Sequence, residues 1–288
     1  MSQILLTTFS LIVTFLVLAS FIPQVRHAWL RKEGGRVSLN YLQLNLICST
    51  ESLFLAFFFT VNTDEDVPFW AHAPRIALDW VNLAQFVGIW ILFNFLFVLV
   101  VYYSAISRTH KAKRIALYVL FLIISLVPLM IDATTDLFCP SGEVDCTVTR
   151  RDPIEFLMAL HAGILQPVTH ALMVLSFYEQ ARQRTLDLSA TGLKLQSSIF
   201  FVSAILWTFR LHIPWEIIGT ETPLTSFCTR CIIWFQYVKF SAGADIIFAI
   251  GQCILLRLTL RKSHFEATHT ATERQPLLES PQESIENV

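Results

Sequence analysis

Seven separate runs of apolar residues, each long enough to cross a bilayer, constrain this chain more than any other feature. A hydrocarbon core about 30 Å thick takes roughly 20 apolar residues per helical crossing. Backbone polar groups find no water there, so runs of this length are read as helices. The runs predict helices near 4–30, 39–61, 80–104, 113–134, 154–178, 192–213 and 232–256. The expected fold class is therefore an all-α membrane protein. Composition agrees, with 54% of residues hydrophobic, 15% charged and 24 of them Phe, far from the balance of a soluble domain. The first run carries no basic residue before Arg26, and its apolar part, Ile4 to Ile22, is long for a signal peptide. It is read as a retained span and not as a cleaved leader.

The formal net charge of −1 conceals an alternation between loops. Arg26, Arg31, Lys32 and Arg36 follow helix 1, Arg108, Lys111, Lys113 and Arg114 follow helix 3, Arg182, Arg184 and Lys194 follow helix 5, and Arg257, Arg261 and Lys262 follow helix 7. The opposite loops hold mainly acids, including Asp64, Glu65, Asp66, Asp136, Glu143, Asp145, Glu216 and Glu221. The positive-inside rule then places the amino terminus outside or in a lumen and the carboxyl terminus in the cytosol. Cys139, Cys146, Cys228 and Cys231 fall on the non-cytosolic side, where disulfides persist. A zinc site is the weaker alternative, because the spacing of the first pair is poor and no nearby His completes a usual set. Cys48 and Cys253 lie within helices and are expected to be small packing residues.

Polar residues inside the runs mark candidate chemistry. Glu51 lies roughly 18 Å along its helix from Leu39, near the bilayer centre. A carboxylate there costs on the order of 3 kcal/mol, so it should face protein or water. Asn82 and Gln85 share a face of helix 3, whereas helix 4 is nearly free of polar groups before Asp132 and reads as a connector. Helix 5 carries His161, Gly163, Gln166, Pro167 and His170, with Gln166 and His170 on one face. Pro167 frees a backbone carbonyl near mid-membrane. Gln196, Ser203 and Arg210 form a stripe on helix 6, and Arg210 is expected to snorkel from its end. Helix 7 contains Lys239, Ser241, Asp245 and Gln252, the last two on one face. For each amide singly, helix-packing glue is the competing role. Residues 258–288 turn polar and are expected to form a disordered cytosolic tail. That tail contains ERQPLL, in which Glu273, Leu277 and Leu278 fit an acidic dileucine sorting signal.

The chain also repeats itself. VSLNYLQLNLICS, from Val37, can be laid over LSATGLKLQSSIF, from Leu188, pairing Ser38 with Ser189, Leu42 with Leu193, Leu44 with Leu195 and Asn45 with Gln196. Two parallel three-helix units, 1–104 and 136–257, joined by a linker helix within 105–135, would account for this pairing. In the first unit the repeat is preceded by Pro23-Gln24 and a basic segment within Phe21–Asn45, FIPQVRHAWLRKEGGRVSLNYLQLN. This order of parts resembles the PQ-loop family of seven-helix membrane proteins, which includes cystinosin, the lysosomal cationic amino acid exporters and the SWEET sugar carriers. Lys239-Phe240, Gly243, Asp245, Gln252 and Cys253 look like the last helix of cystinosin. The second unit departs from the pattern with Gln166-Pro167. Its proline stands about two helical turns farther from Ser189 than Pro23 does from Ser38.

The resemblance implies a proton-coupled exporter of an amino acid or similar small solute from a vacuole- or lysosome-like compartment. Asp245 and Glu51 would couple protons, and Asn45, Gln85, Gln166, His170, Gln196 and Gln252 would line the cavity. Pro23 and Pro167 would act as hinges. The partners expected are a small solute, protons, the lipid bilayer and, through the tail, sorting adaptors, with no nucleic acid and no cofactor. A nutrient sensor that recruits cytosolic partners and an uncoupled sugar facilitator are alternatives. A G-protein-coupled receptor would give the repeat no reason to exist, and no nucleophile and base pairing suggests an enzyme.

Overall fold

The computed structural model describes residues 3–32, 37–62, 70–72, 74–134, 156–183, 188–210 and 239–274. Seven helices among them are long and apolar enough to cross a membrane: α1 (Gln3–Arg31), α2 (Leu39–Asn62), α3 (Ala77–Tyr103), α4 (Arg108–Thr134), α5 (Phe156–Ala181), α6 (Ala190–Arg210) and α7 (Phe240–Lys262). No β-strand occurs among the described residues. These are the helices of a chain compatible with a multi-pass membrane protein. Cys139, Cys146, Cys228, Cys231, Leu277 and Leu278 lie outside the described residues, as do the side chains of Lys239 and Glu273.

Local chemistry explains where the helices start and break. Ser38 caps α2 by accepting the Tyr41 N–H at 3.3 Å, and Ser189 accepts the Gly192 N–H at 3.2 Å at the start of α6. The two serines equated by the repeat thus satisfy the same orphan donor, three residues into each helix. In α1 a break falls between Gln3–Ala19 and Ile22–Arg31. There the Phe21 N–H reaches Leu18 O at 3.2 Å, an over-tight turn. Pro23 sits in the first turn of the second segment, where its missing N–H is not needed. The chain leaves that segment through Lys32 in the left-handed conformation, φ 50°. Beyond α7 the helical backbone continues to Arg274, which corrects the expectation of disorder from residue 258. No Gly or Pro interrupts the sequence between Gln252 and Pro276, so nothing there breaks the helix.

Packing is selective. α3 lies against α1 and α2, α7 lies against α5 and α6, α2 meets α5, α1 meets α6, and α4 rests on α2. Two glycines set the closest approaches. A Cβ on Gly88 of α3 would stand 2.6 Å from the Leu18 side chain of α1, and one on Gly251 of α7 would overlap the Phe177 ring of α5. The Leu18 tip is partly buried and can turn aside. Phe177 is wedged edge-on between Tyr41 and Phe248, at 5.6 Å from each. Overpacking of this kind costs about 1–3 kcal/mol. Gly251→Ala is accordingly expected to lower the unfolding temperature in detergent clearly more than Gly88→Ala, and equal shifts would contradict this account.

Candidate functional site

A cavity of about 40 Å³ opens between α2, α3, α5, α6 and α7, with Asn45, Ser49, Ser52 and Asp245 among its lining. It has room for a few waters. A second cavity of about 30 Å³ is lined by Gln24, Tyr41 and Gln196 among others. Phe93 and Phe248 line both. They meet edge-on at 5.8 Å, Phe21 joins Phe93 at 5.2 Å, and Phe200 joins Phe248 at 4.5 Å. An aromatic layer therefore separates the two cavities, and Phe21, at the break in α1, belongs to it.

A second aromatic layer closes the opposite side of the Asp245 cavity. Trp70, from the segment between α2 and α3, is 2% exposed. It stacks on Trp207 at 5.3 Å and packs against Phe86 and Phe240 at 5.8 and 4.8 Å. Its indole N–H donates to Thr60 at 3.0 Å. Asp79 accepts the His72 and Ile76 N–H groups at 3.2 and 2.9 Å, which fixes the path from Trp70 into α3. Phe86 belongs both to this layer and to the cavity lining. Removing a buried Trp costs about 3–5 kcal/mol, more than the roughly 1.4 kcal/mol of a tenfold shift. In an otherwise cysteine-free chain, Trp70→Ala is expected to speed maleimide labelling of Ser49→Cys by at least about tenfold. An unchanged rate would show that Trp70 does not close the cavity.

Asp245 belongs to a polar network that runs across four helices. Trp207 Nε1–H donates to its Oδ2 at 3.1 Å, and the Ser203 hydroxyl also reaches the carboxylate. Ser203 accepts from Gln85 Nε2 at 3.0 Å. Gln85 Oε1 accepts from Arg210 Nη1 at 2.6 Å and from the Thr14 hydroxyl at 3.2 Å. Arg210 donates further to the Ser10 hydroxyl and carbonyl, each at 3.0 Å, and lies 4.7 Å over the Trp207 ring. Arg210 is 3% exposed, so the expectation that it snorkels is corrected. Its planar fork reaches three acceptors on two helices while its face covers Trp207, a geometry a compact ammonium lacks.

On the other wall, Asn45 Nδ2 donates to Ser176 at 2.7 Å and to Tyr41 O at 2.8 Å, while its Oδ1 has no partner. The Tyr41 hydroxyl accepts from Gln252 Nε2 at 3.0 Å. Gln180 of α5 accepts the Ser38 N–H at 2.8 Å. Gln24 lies against Gly192, the third residue of α6. Each glutamine thus meets the capped start of a helix in the other half of the chain.

Glu51 is not alone, because its Oε2 meets His161 Nδ1 at 2.7 Å. His161 begins a π-helical turn, His161–Leu165, directly before Pro167. A π turn adds a residue to the helical repeat and rotates everything beyond it. The His170 ring bonds back to Gln166 O at 2.8 Å, and Gln166 is buried with Nε2 unpartnered. Neither is among the residues lining the two cavities described. The break of α5 at this turn also stands apart from its counterpart in α1, as the different proline spacing predicts. Cys253 is exposed on α7 and not packed inside, whereas buried Cys48 bonds to Thr169 O at 2.9 Å.

Of the residues singled out from sequence, Asn45 and Asp245 share one cavity, Gln196 lines the other, and Gln85 and Gln252 are linked to Asp245 and Asn45 through one intervening residue each, Ser203 and Tyr41. Sequence reasoning passed over the roles of His161, Tyr41, Gln180, Trp70, Trp207 and the inward Arg210. Arg210 carried a signal, as a cation on a polar helical stripe, and so did His161, as a polar residue within an apolar run. Comparison with protein-family models, with curated proteins and with solved structures returns no match.

Proposed function

We propose that this chain is a proton-coupled secondary transporter of the PQ-loop kind, exporting an amino acid or similar small solute from a vacuole- or lysosome-like compartment. Its helix contacts support two equivalent units. α3 packs on both α1 and α2 as α7 packs on both α5 and α6, and the α2–α5 contact is the counterpart of the α1–α6 contact. α4, resting on α2, is the linker. Parallel repeats of this kind place solute at the interface between the units, near mid-membrane.

One observation carries the reading. Asp245 and Asn45 line the same cavity at that interface, between two aromatic layers, and Asn45 Oδ1 has no hydrogen-bond partner. Both are acceptors, a match for an ammonium or other N–H-rich group. The cavity is too small for such a solute as it stands, so one layer must open at a time. Tilting the Ile22–Arg31 segment of α1 would withdraw Phe21 from one layer, and lifting Trp70 would open the other. The charge alternation of the loops puts the Phe21 side in the cytosol. Asp245, reached from the cavity, is the group that would carry the coupled proton.

Proton flux in proteoliposomes, with an imposed pH gradient and a panel of amino acids and sugars, tests the proposal. Solute-dependent flux is the expected result. Solute binding without flux of protons or of labelled solute would overturn it in favour of a sensor.

A further inference from the structure

A second pair of titratable side chains lies away from the Asp245 cavity. Glu51 of α2 and His161 of α5 are joined at 2.7 Å, with both side chains 1% exposed. Phe54 stacks on the imidazole with ring centroids 3.7 Å apart and planes at 18°. Glu51 Oε1 has no hydrogen-bond partner. Neither residue borders the cavity of Asp245 and Asn45. The pair sits instead at the α2–α5 contact, the more extensive of the two main contacts between the halves of the chain.

We infer that Glu51 and His161 form a proton-binding site of their own, separate from Asp245. A carboxylate oxygen and an imidazole nitrogen at this distance hold one proton between them whichever atom keeps it. With that proton alone the pair carries net charge −1. One further proton, taken from water and later returned to it, brings the pair to zero. It resides on the imidazole Nε2, or on the carboxyl if the shared proton moves to the ring. The unpartnered Oε1 and the two ring nitrogens give that proton its places. The surroundings supply few competing charges. From α5, His170 lies within electrostatic reach of Glu51, and on α2 itself so does Cys48. From α4, Tyr118 bonds to the adjacent Thr50 at 3.2 Å, and Trp90 of α3 donates to the same hydroxyl at 3.1 Å. The other acid facing α2 from α4 is Asp132, held by Asn62 at 2.7 Å.

The consequence for coupling rests on the transporter reading: two sites would move two protons per solute, one through Asp245 and one through the pair. The site itself is tested without solute, on the full chain in nanodiscs. Infrared difference spectra between about pH 8 and pH 5, the range in which imidazole changes charge, are compared for wild type, Glu51→Gln, His161→Gln and Asp245→Asn. Glu51→Gln keeps an acceptor for the ring and is expected to fold. It should remove one carboxyl signal, His161→Gln should shift that same signal, and Asp245→Asn should remove a different one. The ¹⁵N signal of His161 in wild type, assigned by its loss in His161→Gln, should move together with that carboxyl signal. A spectrum unaltered by Glu51→Gln, or a His161 signal that stays fixed, overturns the site whatever the flux assay gives. Absence of flux with these spectra intact would instead overturn the transport reading and leave the site standing.

Discussion

Replacing Asp245 with asparagine is expected to abolish coupled flux, reducing it to the leak of empty liposomes, while the protein still folds and reaches its membrane. The substitution is nearly isosteric. Asparagine keeps a carbonyl oxygen to accept the Trp207 indole N–H now held by Oδ2. What it cannot do is gain or lose a proton. A carboxylate in this position is costly, and the network of Ser203, Gln85 and Arg210 holds it in place. Normal proton-coupled flux in Asp245→Asn, in protein of unchanged unfolding temperature, would remove Asp245 from the mechanism. Retained solute exchange without proton movement would confirm that the loss is specific to coupling.

Arg210→Ala is expected to have the largest effect on stability, about 3–5 kcal/mol, because it removes one side of a buried charged network. Three guanidinium donors to Ser10 and Gln85 are lost, and the Trp207 face is uncovered. Asp245 is also left without its nearby cation. Arg210→Lys keeps the charge but not the planar fork, so it should recover only part of the loss. The two predictions meet in a double-mutant cycle. If Arg210 and Asp245 act on each other across Trp207, Arg210→Ala in the Asp245→Asn background should cost less than in wild type. The difference, read from unfolding in detergent, should be about 0.5–3 kcal/mol. Strict additivity would show that the two groups are independent.

Much of the site was legible because the bilayer penalises polar residues and so makes each one conspicuous. Glu51, Asn45, Gln85, Asp245 and Gln252 all proved buried, each 5% exposed or less. Their partners were harder to name. His161 stands 110 residues from Glu51, Ser10 stands 200 from Arg210, and Ser176 stands 131 from Asn45. No local period links such residues.

By itself, then, the sequence determined the seven helices long and apolar enough to cross a membrane among the described residues, the caps at Ser38 and Ser189 and the set of polar residues that had to find company. These follow from solvent and from neighbours a few residues away: the length of the hydrocarbon, its intolerance of unpaired groups, and the first orphan donors of a helix. Only the tertiary structure decided that Glu51 meets His161, that Arg210 turns inward, and that Trp70 and Phe21 belong to layers on opposite sides of one cavity. Those outcomes depend on which helix faces come together and on the phase of each face after its break or π turn. That information is spread over the whole chain and becomes definite only when the helices pack.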